Sequence, residues 1–549
     1  MPRRLWLSPA MLATGAALLV AAQLAGAAPD RRGGIFKIGT AGASVQIDPQ
    51  LSYVTTGWWL EYATAAKLYN YGPGGKLVPE VASRFTVSQD GRRYTFFIRK
   101  GFRFSDGAPV TAASFVYAID RVANHDLASP GAQFITNPAA GGVAIVGARS
   151  VNNGRGTQVS GVRARGNRLT IQLKRRSRFL IAILAMPFFQ ATSAKLPLDR
   201  EVVNVRSMAD LPSAGPYAFT LNDVNRLTSL RRNPYWTRGP GRTAPRNLNG
   251  VDLSWNLNEQ VAFEMVKANQ LDEGPIPSAE VQSVANQYGV NRSRFWVEPM
   301  NSCLAQIVLD TSRGLFHNNL QMRKAVNWAI DRTDYSGGSF TRTPWTHMLP
   351  PGYPGSIAKP RLQPYAPRAN IAKARALAAG HFKDGRINAF YRSTGATNNA
   401  QAEIVKRDLI RLGFDPANIT MKGLTGADFY DALGKRGSGF DMGISVGWCS
   451  DYWYWVAGPG DTFPFPLVFD GDFLTAKYRA KIAAALRLHG KARTRAIGKL
   501  DIEIMKNLAP VVVTNTYNQL SFFSNRVDPR SLRFHRVYQD WSIPALALK

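Results

Sequence analysis

The run Tyr94-Thr95-Phe96-Phe97-Ile98-Arg99-Lys100-Gly101-Phe102-Arg103-Phe104-Ser105-Asp106-Gly107-Ala108-Pro109-Val110-Thr111-Ala112 changes structural period within a few residues. Tyr94, Phe96 and Ile98 recur at every second position, so their side chains share one face of an extended strand. Asp106-Gly107-Ala108-Pro109 is a dense turn signal that stops the strand. Val110-Thr111 then leads into Ala112 to Val122, which reads as a capped amphipathic helix. Strand, turn and helix in one stretch point to a mixed α/β chain.

Working outward supports that class. On the N-terminal side Phe85 and Val87 alternate before a Gln89-Asp90-Gly91 turn, which makes a hairpin with the Tyr94 strand. Gly33 to Thr40 reads as a short strand closed by the Ile47-Asp48-Pro49 turn, and a helix is expected over Gly57 to Leu68. Tyr71-Gly72-Pro73-Gly74-Gly75 is a breaker cluster and a candidate domain junction. On the C-terminal side Val159 to Leu173 is hairpin-like. Helical patterns occupy Gln260 to Gln270, Gln321 to Ile330, Ile371 to Ala379, Ala400 to Leu412 and Ala476 to Leu488. No repeat of fixed period emerges.

A chain of 549 residues is long enough for two or three domains. With 45% hydrophobic and 19% charged residues it lies in the globular range, not the disordered one. Arg3 and Arg4 precede an apolar run from Leu5 to Ala25, ending in the small residues Ala25-Gly26-Ala27, which is a secretory signal pattern over residues 1–27. Pro9 leaves a core from Ala10 to Ala25, short for a membrane span; a retained anchor is the alternative to cleavage. No Cys lies near the cleavage site, so no lipid-anchor attachment is expected and the mature protein is expected to be soluble and periplasmic or extracellular. The formal charge of +31, from 68 Lys and Arg against 37 Asp and Glu, raises a nucleic-acid reading. The basic residues are scattered, as in Arg31-Arg32, Arg92-Arg93 and Arg231-Arg232, and no nucleic-acid module concentrates them. A cationic surface near anionic envelope polymers or lipid headgroups is the simpler expectation.

Chemistry-bearing residues are sparse. Two cysteines, Cys303 and Cys449, in an exported chain can form a disulfide, with two buried thiols as the alternative. The six His, at 125, 317, 347, 381, 489 and 535, show no i, i+4 pair and no acidic cluster, so no metal site is expected. There is no GxxxxGK loop or dinucleotide fingerprint, and no cofactor is expected. Gly443-Ile444-Ser445-Val446-Gly447 satisfies the GxSxG pattern of hydrolases, with His489 and His535 downstream. A serine hydrolase built on Ser445 is therefore the rival reading. It is disfavoured because Val446-Gly447-Trp448-Cys449 continues an extended pattern where a nucleophile elbow needs a sharp turn into a helix.

The ordered motifs resemble a known family. They are Leu77-Val78-Pro79-Glu80-Val81-Ala82, Tyr94 to Gly101, Phe104 to Ala112, Gly215-Pro216-Tyr217, Arg232-Asn233-Pro234-Tyr235-Trp236, Met322 to Arg332, and Pro350-Pro351-Gly352. Together they resemble the extracytoplasmic solute-binding proteins, family 5, of peptide-type ABC transporters. The resemblance implies an α/β, two-lobed, periplasmic-binding-protein-like fold of three domains with hinge strands between lobes. It places a lobe I core at 33–72 plus 206–301 plus 520–549, an additional lobe I domain at 73–205, and lobe II at 302–519. It implies a monomeric, non-enzymatic subunit that captures a peptide or other small solute and delivers it to a membrane permease. An oligosaccharide or other non-peptide solute is the alternative within that fold.

Phe440 to Tyr452 resembles the ligand-site strand of oligopeptide-binding members, with the pattern Gly447-Trp448-Cys449-Ser450-Asp451-Tyr452. The resemblance pairs Cys449 with Cys303 in a disulfide. It gives Asp451 the peptide α-ammonium group, which suits a charge-assisted hydrogen bond inside a closed cleft. Gly447 and Cys449 would offer backbone to the ligand, and Trp448 between them is a further candidate ligand-binding residue. Family members usually continue with an acidic-Pro element, whereas here Tyr452-Trp453-Tyr454-Trp455 follows, so Tyr452 and Trp453 are candidate ligand-stacking residues. Tyr53 and Thr55, after Asp48-Pro49, lie in a loop that approaches the ligand in relatives.

Overall fold

Two long strands, Phe295–Leu309 and Val511–Phe523, pair antiparallel along nearly their whole length. They belong to a computed structural model that describes residues 33–72, 75–138, 142–337, 340–353, 355–393, 396–435, 437–449 and 473–549. In chain order the strands are β1 (Ile35–Gly39), β2 (Tyr69–Tyr71), β3 (Leu77–Pro79), β4 (Ala82–Val87), β5 (Arg93–Ile98), β6 (Val162–Arg165), β7 (Arg168–Gln172), β8 (Tyr217–Asp223), β9 (Leu227–Arg232), β10 (Gly250–Ser254), β11 (Glu273–Gly274), β12 (Phe295–Leu309), β13 (Arg342–Pro344), β14 (Ile387–Arg392), β15 (Ile419–Leu424), β16 (Met442–Cys449), β17 (Val511–Phe523), β18 (Phe534–His535) and β19 (Asp540–Trp541). The largest sheet runs β15-β14-β16-β12-β17-β11-β1-β10-β9-β8, with β13 also on β17.

The two long strands thread two apolar cores. At one end Phe295 and Phe522 pack with Phe263 and Val266 of helix Glu259–Lys267 and Val284 of helix Val281–Tyr288. At the other, Ile307, Leu309 and Val512 pack with Met322, Ala374 and Val405 from helices Leu320–Ala329, Ile371–Ala378 and Ala396–Leu412. Between the cores the β12–β17 ladder shifts register: Met300 faces Tyr517 and Leu304 faces Thr516, leaving residues 301–303 as an excess on β12. The mixed α/β class read from the sequence is the class observed.

The hairpin read at Phe85 to Ile98 is β4–β5, and it continues into a second sheet of order β4-β5-β7-β6. Helix Ala112–Ala123 starts behind a Thr111–Ser114 capping box and packs Phe115, Ile119 and Val122 into the same core as Phe96, Leu169 and Ile171. The motifs quoted above serve as scaffold. Asp106 accepts the Ala108 amide and pairs with Lys195 at 2.7 Å. Buried Asn233 donates to the carbonyls of Ser213 and Gly215. Arg332, fully buried, donates to the Val513 and Asn327 carbonyls, and burial pushes its pKa down to about 10.

A buried ion pair ties the second sheet to the loop that follows β1. Arg121, in helix Ala112–Ala123, meets Asp48 through two hydrogen bonds at 2.6 and 2.7 Å, and neither side chain is exposed. Its remaining donors reach Gln50 Oε1 and the carbonyls of Pro197 and Arg200, so the desolvated guanidinium is fully served.

Helix Gly490–Asn507 is not among the helices expected from the sequence; it carries Gly490 and Gly498, and glycine is a poor helix former. At Gly498 the Gly355 carbonyl oxygen lies 1.9 Å from where a β-carbon would sit, so the missing side chain lets a loop cross the helix. We expect Asp48→Ala to lower unfolding free energy by about 3–5 kcal/mol, since it leaves Arg121 buried without its counter-ion. Denaturant titration checks this, and an effect below about 1 kcal/mol would contradict it.

Candidate functional site

Strand β16 runs beside β12, and its end holds the sequence-predicted site. Met442 and Gly443 pair with Leu309 and Val308, then the register shifts, and Val446, Gly447, Trp448 and Cys449 pair with Gln306, Ala305, Leu304 and Cys303. The shift sets Ile444 and Ser445 against Ile307 alone, which is a bulge. Ser445 takes a left-handed φ of 65°, a conformation that costs a non-glycine residue on the order of 1 kcal/mol or more. It is held there by side-chain bonds. Its hydroxyl donates to Gln401 Oε1 at 2.7 Å and meets the Tyr335 hydroxyl at 3.0 Å, while the Gln401 amide donates to the Tyr335 carbonyl.

Those partners bear on the hydrolase reading. Ser445 is buried in a strand bulge, bonded to an amide and a phenol, and β16 continues extended through Cys449. Neither candidate His reaches it. His489 lies beside Arg178 Nη1 at 3.4 Å, and His535 is stacked on Tyr538 with ring centroids 4.1 Å apart.

Cys303 and Cys449 are register partners and are joined by a disulfide across 146 residues of sequence. The bond closes the end of β16 onto the crossing strand β12, three residues beyond Met300 where the register shift begins. One strand further, Ala305 pairs with Asn515 and Leu304 with Thr516 of β17. The Tyr517 hydroxyl lies 3.1 Å from where a β-carbon on Gly447 would sit, so glycine lets that phenol pack onto the strand. Burial raises the Tyr517 pKa, keeping the hydroxyl protonated.

Tyr53 and Thr55 lie elsewhere, at the start of helix Thr55–Thr64. Tyr53 is 39% exposed yet supported from behind by the rings of Trp58, Phe134 and Phe188 at 6.2, 6.2 and 5.5 Å. The loop below is fixed by Gln50, which donates to Phe188 O and Thr192, and by the Trp58 indole, which donates to Ser52 O. Of the predicted site residues the structure thus brings together Cys303, Cys449 and Gly447, places Trp448 by its backbone pairing, and sets Tyr53 and Thr55 apart, at the junction of a loop and helix Thr55–Thr64. Asp451, Tyr452 and Trp453 lie outside the described residues.

The sequence reading passed over one concavity. A cavity of about 1100 Å³ opens among Tyr62, Glu80, Trp296, His535, Tyr538 and Trp541, drawn from four distant stretches of chain. Behind Tyr62, buried Lys67 sits 3.4 Å from the ring centroid, and burial lowers its pKa to about 7 against the pull of Glu80 and Glu61. Burial, and then the Lys67 charge, depress His535 to about 3, so its ring is neutral. Near the same wall, burial followed by the charge of Asp540 pushes Glu273 up to about 8. Gln539, adjacent to Asp540, donates to Ser302 within the excess residues of β12.

Comparison with known proteins places these features. The profile of "Bacterial extracellular solute-binding proteins, family 5 Middle" matches residues 76–466. The chain is 24% identical over 255 residues to the oligopeptide-binding protein OppA of Bacillus subtilis, covering 46% of this chain and 44% of that protein. It is 25% identical over 319 residues to the probable deoxycholate-binding periplasmic protein YgiS of Escherichia coli, covering 56% of each. The chain spans about half the length of the curated relatives it matches. In structure, the clavulanic acid biosynthesis oligopeptide binding protein 2 superposes with a TM-score of 0.77 at 22% identity, over 95% of this chain and 96% of that one.

Two outcomes follow from the geometry. Replacing Cys303 and Cys449 together by Ser should lower stability by about 2–5 kcal/mol in denaturant titration under oxidising conditions, with no matching loss when both forms are reduced. For Glu273, the folded state keeps a proton that the unfolded carboxylate releases near the ordinary value, so its contribution falls as pH rises from about 4.5 towards about 8. The stability of Glu273→Gln relative to the parent should therefore grow by about 1 kcal/mol per pH unit across that window. A pH-independent difference would show that Glu273 ionises normally.

Proposed function

This chain belongs to the bacterial extracellular solute-binding proteins, family 5, and from that premise we propose that it captures peptides or peptide-like solutes outside the cytoplasmic membrane and delivers them to an ABC permease. The observation that carries the peptide half is the disulfide between Cys303 and Cys449 at the end of the Gly447-Trp448-Cys449 strand, the pairing that the oligopeptide-binding pattern implied. Relatives named for oligopeptides and dipeptides support the same reading. The proposed division is a lobe I core at 33–72, 206–301 and 520–549, an additional domain at 73–205, and lobe II at 302–519. The paired strands β12 and β17, which thread two cores with a register shift between, are the proposed hinge.

In this reading Asp451 receives the ligand ammonium group, and backbone of Gly447 and Cys449 pairs with the ligand as an added strand would. Tyr53 and Thr55 face the solute from the other lobe, with Tyr452 and Trp453 stacking on it. Closure follows only from tighter binding to the closed state. The protein acts as an exported monomer with its signal removed, by binding and not by catalysis; the buried setting of Ser445 supports this. The YgiS relative keeps an amphipathic or other non-peptide solute as the second reading, and the aromatic residues Tyr452 to Trp455 suit it.

Mass spectrometry of ligand carried through native purification tests the solute class directly. Titration calorimetry with short peptides tests the site: Asp451→Asn should weaken free-amine peptides on the order of a hundredfold and leave N-acetylated ones nearly unchanged. Equal affinities before and after the substitution would remove Asp451 from the site, and a copurified bile-acid-like or sugar ligand would overturn the peptide reading.

A further inference from the structure

The outer face of the four-stranded sheet β4-β5-β7-β6 is a plane of arginines. Its inner residues Tyr94, Phe96, Ile98, Leu169 and Ile171 are buried. By strand alternation the opposite face carries the rest, and the register sets them in rows. Arg84, Phe97, Arg168 and Arg165 lie side by side across the four strands; Thr86, Thr95, Thr170 and Arg163 form the next row, and Arg93 and Gln172 a third. All five arginines are exposed. The four strands contain no Asp or Glu, and Asp90 in the β4–β5 turn is already paired with Arg92 at 2.8 Å. Among the described residues none of the five arginines has a carboxylate partner.

Such a face is costly in isolation. Arg165 and Arg168 are direct cross-strand partners, and like charges opposite one another destabilise a sheet. Arg84 and Arg168 flank one ring, Phe97, at 3.6 and 5.5 Å from its centroid. An array of anions set in a plane would relieve the repulsion more fully than solvent screening does. Guanidinium forks match phosphate oxygens two at a time, and a sheet face about 14 Å on a side presents them to several phosphates together. We propose that this face docks the protein on the anionic phospholipid headgroups of the membrane surface. Nucleic acid is the less suited polyanion, because the face has a single aromatic ring, Phe97, and Arg84 covers it, leaving no platform for stacked bases. The inference stands apart from the solute reading, since none of these residues belongs to the β12–β16 site.

Cosedimentation of the whole protein with vesicles of phosphatidylglycerol and phosphatidylcholine tests it. The parent should bind these vesicles in a salt-sensitive way and ignore pure phosphatidylcholine. The triple variant Arg163→Gln, Arg165→Gln, Arg168→Gln should lose at least about tenfold in apparent affinity, with an unchanged or higher Tm. A variant of equal charge change elsewhere, Lys359→Gln, Arg361→Gln, Arg368→Gln, should stay within about twofold of the parent. Replacing the same three arginines by Lys should keep most of the binding and guards against a folding defect. Equal losses in the two Gln variants would reduce the effect to net charge and overturn the proposal. So would displacement from vesicles by a short single-stranded oligonucleotide at equal phosphate concentration.

Discussion

The antiparallel pairing of β12 with β17 is the constraint on which the rest of the chain hangs. Each strand begins in one apolar core and ends in the other, so neither core can form without fixing the position of the other's edge. The excess of residues 301–303 on β12 falls between those cores. A ladder interrupted there has fewer backbone bonds to bend against than one continuous through both halves, and a bulge already supplies extra twist. That is the local property a hinge needs. Gln539 reaches this interruption from the C-terminal segment by donating to Ser302, so the chain end whose Trp541 packs on Trp296 of β12 also touches the crossing point.

The disulfide and the Ser445 bulge act on the strand next to that crossing. The bond fixes one end of β16 to β12, while Asp441 fixes the other, accepting the amides of Leu315 and Asn388. Between them the left-handed Ser445 is held by Gln401 and Tyr335, residues from two different helices. A strand tied at both ends and pinned in the middle presents the backbone of Gly447 and Cys449 in one fixed geometry. For the proposed pairing of a ligand backbone with this strand, such rigidity limits the conformational entropy lost on binding.

Much of this was legible from residue patterns. Period-two alternation located β4 and β5, and the Thr111 boundary located the helix after them, because local rules and tertiary packing agree in that stretch. The two cysteines were legible through their place in a longer pattern. Other parts were not legible for identifiable reasons. Helix Gly490–Asn507 hid behind Gly498, whose presence answers the carbonyl of Gly355 from far away in sequence. The first half of β12, around Glu298-Pro299, lacks the strand signals of its second half and is extended because β17 pairs with it. The cavity beside Tyr62 assembles four distant segments, and no local pattern encodes such an assembly. The arginine face is encoded residue by residue, yet only the register shows that scattered arginines share one plane.

The exposure of Tyr53 is the last consequence of buried charge. A tyrosine 39% exposed would ordinarily turn inward against the nearest apolar surface, but the loop that carries Tyr53 is held on several sides. Asp48 anchors the loop through Arg121, Gln50 anchors it through Phe188 and Thr192, and the Trp58 indole holds Ser52. The rings of Trp58, Phe134 and Phe188 stand behind the Tyr53 ring as a wall. The fully served guanidinium of Arg121 therefore does more than join two sheets, because it converts a loop after β1 into a rigid support for an exposed aromatic side chain. Stability and presentation of that side chain rest on the same five hydrogen bonds.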